Sequence, residues 1–216
     1  MTTIELEDGS RLGVLGTLEE LQAVTGQPNS RAVRKDIGHI DGHFADFIAC
    51  SPFALLGTAS AAGACDVSPR GDHPGFARVL DRHHIAVPDR PGNRRTDSLH
   101  NIVETGRAGL LFIVPGSDNT VRVNGRAAVT EDPALIESMA VDGKAPKLAI
   151  VITVEEAYLH CPKAFRRSQL WDPATWSDPS ELASPGCIYR DQLGLDDVSI
   201  EAIDRTLEES NRATLW

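Results

Sequence analysis

The amino-acid sequence predicts a mainly β protein with α additions, folded as a mostly antiparallel barrel. Three observations lead there. Short apolar stretches recur through residues 50–160, enough for six or seven strands. The intervals between them are too short for regular βαβ units. Only two helical patterns interrupt the run. With 216 residues, 41% hydrophobic and 24% charged, the chain suits a single domain with a real core. That domain, residues 1–216, divides into N-terminal helices (17–50), a barrel core (about 50–160) and a C-terminal helical extension (162–216).

Each element has its own signal. "TLEELQAVTG" opens with Thr17 and places Glu20 three residues later, the pattern of a capping box, and Gly26 closes it. "DGHFADFIACSP" sets Phe44, Phe47 and Ile48 on one helical face and stops at Pro52. "FALLGTA" and "CDVSP" read as strands joined by the turn residues "SAAG", and "FARVLD" and "HIAVPD" as a second pair. A helix is predicted from about Arg94 to Thr105, capped by Asn93, with Leu99, Ile102 and Val103 as its apolar stripe and Gly106 at its end. "AGLLFIVPG" is a continuous apolar run typical of a buried strand. "TVRVNGRAAVT" alternates, with Val121, Val123 and Gly125 on one face and Thr120, Arg122 and Asn124 on the other. The short helix "DPALIESMA" precedes the long strand "KLAIVITVEEAYL". Beyond Cys161 come a basic helix, "PKAFRRSQLW", a Pro-rich irregular stretch, and a final helix carrying Ile200, Ile203 and Leu207 at helical spacing.

Composition narrows the function. A formal charge of −10 argues against nucleic-acid or acidic-membrane partners. No apolar run approaches the roughly 20 residues of a membrane helix. "MTTIELEDGS" is acidic and lacks an apolar h-region, so no signal peptide is expected. Cys50, Cys65, Cys161 and Cys187 form no CxxC, and their spacing suggests neither a disulfide framework nor a zinc site. Reduced thiols in a cytoplasmic protein are the expectation. No metal site is expected: His83 and His84 are adjacent strand residues facing opposite ways, and His39 and His43 are four apart without HExxH or carboxylate support.

The feature that asks for chemistry is "PGNRRTDSLHNI". Arg94 and Arg95 fall at the entry of a helix, where cations oppose the partial positive charge of the free N–H groups. An anion shared by both arginines and the helix end resolves the conflict, and the planar guanidinium fork suits phosphate. Local neutralisation by Asp97 resolves it equally well. A second feature, "DVSPRGD", puts Ser68 and Arg70 two apart at a strand end, hence on one side of the sheet. Pro69 and Gly71 are explained by a bend; Arg70 is not.

Taken in order, "SPFALLGTASAAGACDVSPRGD", "VPDRPGNRRTDSLHNI", "LLFIVPG" and "VRVNGRA" resemble the pyridoxamine 5′-phosphate oxidase-like flavoproteins, in particular a bacterial subfamily of FMN-dependent members. The resemblance runs from about residue 30 to 175. It implies the FMN-binding split β-barrel, six-stranded and antiparallel, in a homodimer holding FMN at the subunit interface. It implies that Asn93, Arg94, Arg95 and Ser98 grip the FMN phosphate and that Val67, Ser68 and Arg70 lie along the flavin and its phosphate. Pro88 and Asp89 then precede that grip, and Thr120 and Arg122 approach the ring from the other subunit.

The sequence departs from the vitamin B6 oxidase near the C-terminus. "CPKAFRRSQLW" follows the last strand where an Arg-x-His would meet the substrate, which argues against pyridoxal phosphate synthesis. Lys163, Arg166, Arg167 and Trp171 are instead candidates for contact with an anionic substrate, and equally fit a solvated helix face and a core edge. The expected function is an FMN-dependent oxidoreductase acting on a small molecule, with NAD(P)H as a candidate donor. The alternatives are a non-catalytic flavin carrier or sensor, or the same fold holding F420 or haem. Catalytic acids and bases remain unassigned, as befits a reaction whose chemistry belongs to the cofactor.

Overall fold

The computed structural model describes residues 2–215, which divide into two compact units, one ending at Asp36 and one beginning at Ile37. In the first unit, β1 (Thr2–Glu5) and β2 (Arg11–Val14) form an antiparallel hairpin. Its turn is closed by Asp8, whose carboxylate accepts from the Ser10 N–H and hydroxyl, and by Gly9 at φ +80°. This hairpin is not among the predicted elements, although Asp8-Gly9 is a turn signal. Helix α1 (Leu18–Thr25) carries the predicted capping box between Thr17 and Glu20 and ends at Gly26; the short α2 (Ser30–Arg34) follows.

The second unit opens with α3 (Gly42–Cys50), capped by Asp41, whose carboxylate accepts from the Phe44 N–H. Then come β3 (Phe53–Ala59), β4 (Cys65–Gly71), β5 (Arg78–Asp81), β6 (His84–Asp89), α4 (Asp97–Thr105), β7 (Arg107–Ile113), β8 (Thr120–Thr130), α5 (Pro133–Ser138) and β9 (Leu148–His160). The chain closes with α6 (Lys163–Ser168), α7 (Pro185–Leu193) and α8 (Ile200–Ala213). The strands make one antiparallel sheet in the order β4-β3-β7-β8-β9-β6-β5. The fold class is therefore the expected one, mainly β with helical additions, and the sheet has seven strands.

Register decides which side chains share a face. Residues directly opposite one another across antiparallel strands point the same way. The row Ser68, Leu56, Leu110, Val123 and Ala157 runs across β4, β3, β7, β8 and β9. Its last four members are buried, so this is the core face. Ile48 of α3 and Leu99 and Ile102 of α4 complete that core. The neighbouring row, Pro69, Leu55, Leu111, Arg122 and Tyr158, faces the other way.

Strands β4 and β6 are separated by four others in the sheet order, yet side chains join them. Arg70 on β4 meets Asp89 on β6 at 2.7 Å, and Arg90, just past β6, meets Asp72, just past β4, at 2.7 Å. The sheet must therefore curl until the two strands approach, and ion pairs bridge the seam between them. Arg90 also donates to the Met139 carbonyl at 2.7 Å, which ties the segment after α5 to the same seam. Inside the curl, β8 carries a bulge at Asn124/Gly125. A Cβ on Gly125 would lie 1.9 Å from the Thr153 carbonyl oxygen, so β8 and β9 pass there only because residue 125 has no side chain.

Two further elements differ from expectation. Helix α4 starts at Asp97, three residues later than predicted, with Thr96 as its cap. Part of the predicted irregular stretch is helix α7, capped by Ser184 with Pro185 in its first turn. Helices α7 and α8 pack on each other, the Gly186 N–H donating to Asp204 at 2.6 Å, and Ile200, Ile203 and Leu207 are half-buried. Among the described residues, no helix is long and apolar enough to cross a membrane.

Candidate functional site

Arg94 and Arg95 lie in the loop between β6 and α4, not in the first helical turn. The reason is local. Asn93 uses its side-chain oxygen to accept the Arg95 N–H at 3.0 Å, the bond expected of a helix cap, but spends it on a turn. Arg94 (φ +61°) and Thr96 (φ +56°) then take left-handed conformations that L side chains rarely adopt, and the helix begins only after them. Both arginines are exposed. Arg95 Nε donates to Asp97 at 2.8 Å, with side chains 73% and 44% exposed. This contact raises the pKa of Arg95, first through the Asp97 hydrogen bond, then through its charge, with a smaller push from the charge of Asp66. The local counter-charge foreseen in the sequence is therefore made. No side chain caps the start of α4.

Beneath α4 lies a polar chain. Asp66, Ser68 and Arg70 alternate on the half-buried face of β4, as their two-residue spacing requires. Ser98 of α4 donates to Asp66 at 2.6 Å, so its oxygen is left to accept from Ser68 at 2.9 Å. Ser68 in turn accepts from Arg70 Nη2 at 3.3 Å, and Arg70 Nη1 donates to Asp89. Thr58, which accepts from Asn101 at 3.0 Å, reaches Asp66 at 3.4 Å. Arg70 Nε is buried and has no acceptor among the described residues. A buried donor without an acceptor is costly, and it marks where an oxygen-bearing group would be favoured. Pro88 is buried in β6 beside Asp89. Val67 is 67% exposed and points away from Ser68.

Thr120 and Arg122 are on the other face of the sheet. Thr120 is buried; Arg122 donates to the Tyr158 hydroxyl at 2.8 Å and lies against its ring, 5.6 Å from the centroid. One chain therefore does not bring Arg122 to the same side as Ser68 and Arg70. Of the candidates on α6, Lys163 and Arg167 are exposed and form no ion pair among the described residues. Arg166 binds Asp118 at 2.9 Å. The Trp171 indole N–H donates to the Ser117 carbonyl at 2.9 Å, and its ring lies beside Phe165. These two side chains fasten the segment after β9 to the turn between β7 and β8.

A depression of about 490 Å³ lies against α4, lined by Leu99, Val103, Val129 and Leu148 together with Thr96, His100 and Glu104. Its lining is mostly apolar and includes no lysine or arginine. Two of the histidines weighed as ligands take structural partners: His39 accepts from Arg82 at 2.8 Å, and His84 bonds Asp81 at 2.9 Å. Sequence reasoning did not single out Asp66, Thr58, Asn101 or Tyr158. Asp66 could have been found, since it precedes Ser68 by two on the same face; the others depend on contacts across 30 residues or more.

A family model described as pyridoxamine 5′-phosphate oxidase matches residues 40–161, more than half of the chain and all seven strands of the large sheet. No curated protein matches. Solved structures that resemble the chain include HupZ of Group A Streptococcus (19% identity, 56% of this chain and 93% of that one, TM-score 0.46). A Clostridium acetobutylicum protein related to general stress protein 26 aligns at 16% identity over 56% of this chain and 90% of its own, with a TM-score of 0.40. The FAD binding protein of Mycobacterium smegmatis aligns at 12% over 57% and 97%, also at 0.40.

Proposed function

Because the chain belongs to the pyridoxamine 5′-phosphate oxidase family, we propose that it is an FMN-binding flavoprotein of the split-barrel type. We take it to be a cytoplasmic FMN-dependent oxidoreductase acting on a small molecule. The observation that carries the cofactor is the buried, acceptor-less Nε of Arg70, whose guanidinium bonds Ser68, itself bonded to Ser98 at the start of the helix that follows the Arg94–Arg95 loop. That donor set fits a phosphate ester: guanidinium forks, two hydroxyls and an uncapped helix start. Arg94, Arg95, Arg70, Ser68 and Ser98 would hold the phosphate, with Asn93 shaping the loop, Pro88 and Asp89 buttressing Arg70, and Val67 bordering the cofactor.

When bound, the flavin supplies the electron transfer at its ring. The protein's part is to bind, orient and exclude water. Asp89 fixes the Arg70 guanidinium, and Asp66 fixes the hydroxyl protons of Ser98 and, through it, Ser68. Thr120 and Arg122, on the opposite face, serve the site of a second copy, so that a homodimer completes each site. Lys163 and Arg167 are free to attract an anionic substrate, with NAD(P)H as the candidate electron donor. Arg166 and Trp171 are already engaged and position α6. With "FRRS" in place of an Arg-x-His, pyridoxamine 5′-phosphate is a poor substrate in this reading.

The absorption spectrum of freshly purified protein, with mass identification of the released cofactor, tests the reading. FMN released in stoichiometric amount supports it, while F420, haem or no chromophore after reconstitution with FMN defeats it. If FMN is present but NAD(P)H never bleaches it and no acceptor restores it, the carrier or sensor role replaces the enzyme.

A further inference from the structure

Resting on the phosphate reading above, we infer that Asp97 is a built-in counter-anion, a specificity-determining residue that holds the Arg95 fork until a phosphate monoester displaces it. The contact is made for exchange. One Asp97 oxygen takes only Arg95 Nε, and both side chains are largely open to solvent. Such a pair is weak and easily broken. Released from Arg95, the Asp97 carboxylate still sits in the first turn of α4, where a negative charge is favoured and no side chain caps the N–H groups.

Charge bookkeeping makes the exchange necessary. Arg70 is paired with Asp89 and Arg95 with Asp97, and the charge of Asp66 also acts on Arg95. These two guanidiniums are thus already neutralised before any ligand arrives, and a phosphate entering beside them meets carboxylates that hold its place. Asp89 is committed to the seam through a half-buried pair, and Asp66 to the Ser98 hydroxyl. Asp97, its side chain 44% exposed against 23% for Asp89, can withdraw. An intramolecular carboxylate competes at high effective concentration, so a simple monoanion gains little by replacing it. A phosphate ester, with up to two charges and three acceptor oxygens, gains more from the same fork. Asp97 would thus screen the loop against carboxylates and small monoanions.

The test compares FMN and riboflavin titrated into the wild-type protein and into Asp97→Asn, Asp97→Ser, Arg95→Ala and the Arg95→Ala/Asp97→Asn pair. Removing the competitor should tighten FMN by about two- to five-fold, the worth of an exposed ion pair. Riboflavin affinity should not change, and the gain should vanish when Arg95 is already alanine. Unchanged or weaker FMN binding in both Asp97 variants, with Arg95→Ala still losing FMN selectively, overturns this inference and leaves the phosphate reading standing. If Arg95→Ala alters FMN and riboflavin alike, the phosphate reading falls and this inference with it. A circular-dichroism spectrum and a cooperative urea transition like those of the wild type certify the fold of each variant independently of ligand.

Discussion

Replacing Arg70 by methionine removes the charge that bridges β4 and β6 while keeping most of the side chain's bulk. Asp89 would remain with its carboxylate 23% exposed and no guanidinium at 2.7 Å. Breaking a fully buried pair from one side costs about 3–5 kcal/mol, and an exposed pair is worth about 0–1 kcal/mol. With Arg70 only 15% exposed, the loss should fall between these limits, at about 2–3 kcal/mol. Asp89→Asn should cost less, because Arg70 keeps Ser68 as an acceptor. In Arg70→Met/Asp89→Asn no charge is stranded, so the double variant should be more stable than the sum of the singles by about 1–2 kcal/mol. Urea denaturation of the four proteins measures this directly. Single losses that add to within about 0.5 kcal/mol would mean that the two strands do not meet through this pair, and the curled sheet would lose its main support.

The second seam pair is more deeply buried, Asp72 being 1% and Arg90 14% exposed, so Asp72→Ala should destabilise by about 3–5 kcal/mol in the same assay. At the β5–β6 turn, the Asp81 carboxyl sits below its ordinary 3.8 because the His83 N–H, and then the His84 ring, hydrogen-bond to it. A depressed folded value means that its stabilisation is complete above 3.8 and is lost as pH falls through the lower value, so thermal melts of wild type and Asp81→Ala should differ at neutral pH and converge only in acid. Convergence well above 3.8 would contradict that assignment. Light scattering should return a dimer, and Arg122→Glu should weaken FMN binding although Arg122 lies on the opposite face from Arg70; a 23.3 kDa monomer with FMN bound would refute the shared site.

Most strands were legible because their signals are local. Alternation, one continuous apolar run and the turn residues between strands located β3 to β9, the largest miss being the end of β7 at Ile113 where the apolar run continued to Gly116, and Thr17 with Glu20 announced α1. The start of α4 was not legible, because an Asn side chain bonding the N–H two residues on serves a turn as well as a cap, and Asn93 made the turn. Helix α7 carried Ser184, Pro185 and Gly194 in the right places, but Pro173 and Pro179 just before it made the whole stretch read as irregular. At the site, the shared side of Ser68 and Arg70 followed from spacing alone. The Arg70–Asp89 pair did not, since it depends on how far the sheet curls, and neither did the opposite facing of Arg122, which requires the register across four strands.

The central claim, that this cradle holds the phosphate of FMN, is tested most directly by a ratio of ratios: FMN against riboflavin affinity, in wild type and in Arg95→Ala. Losing a charge-assisted contact should weaken FMN by about 10- to 150-fold, while riboflavin, which lacks the phosphate, binds both proteins alike. If the FMN-to-riboflavin ratio is the same in the two proteins, Arg95 does not meet a phosphate and its partner is Asp97 alone.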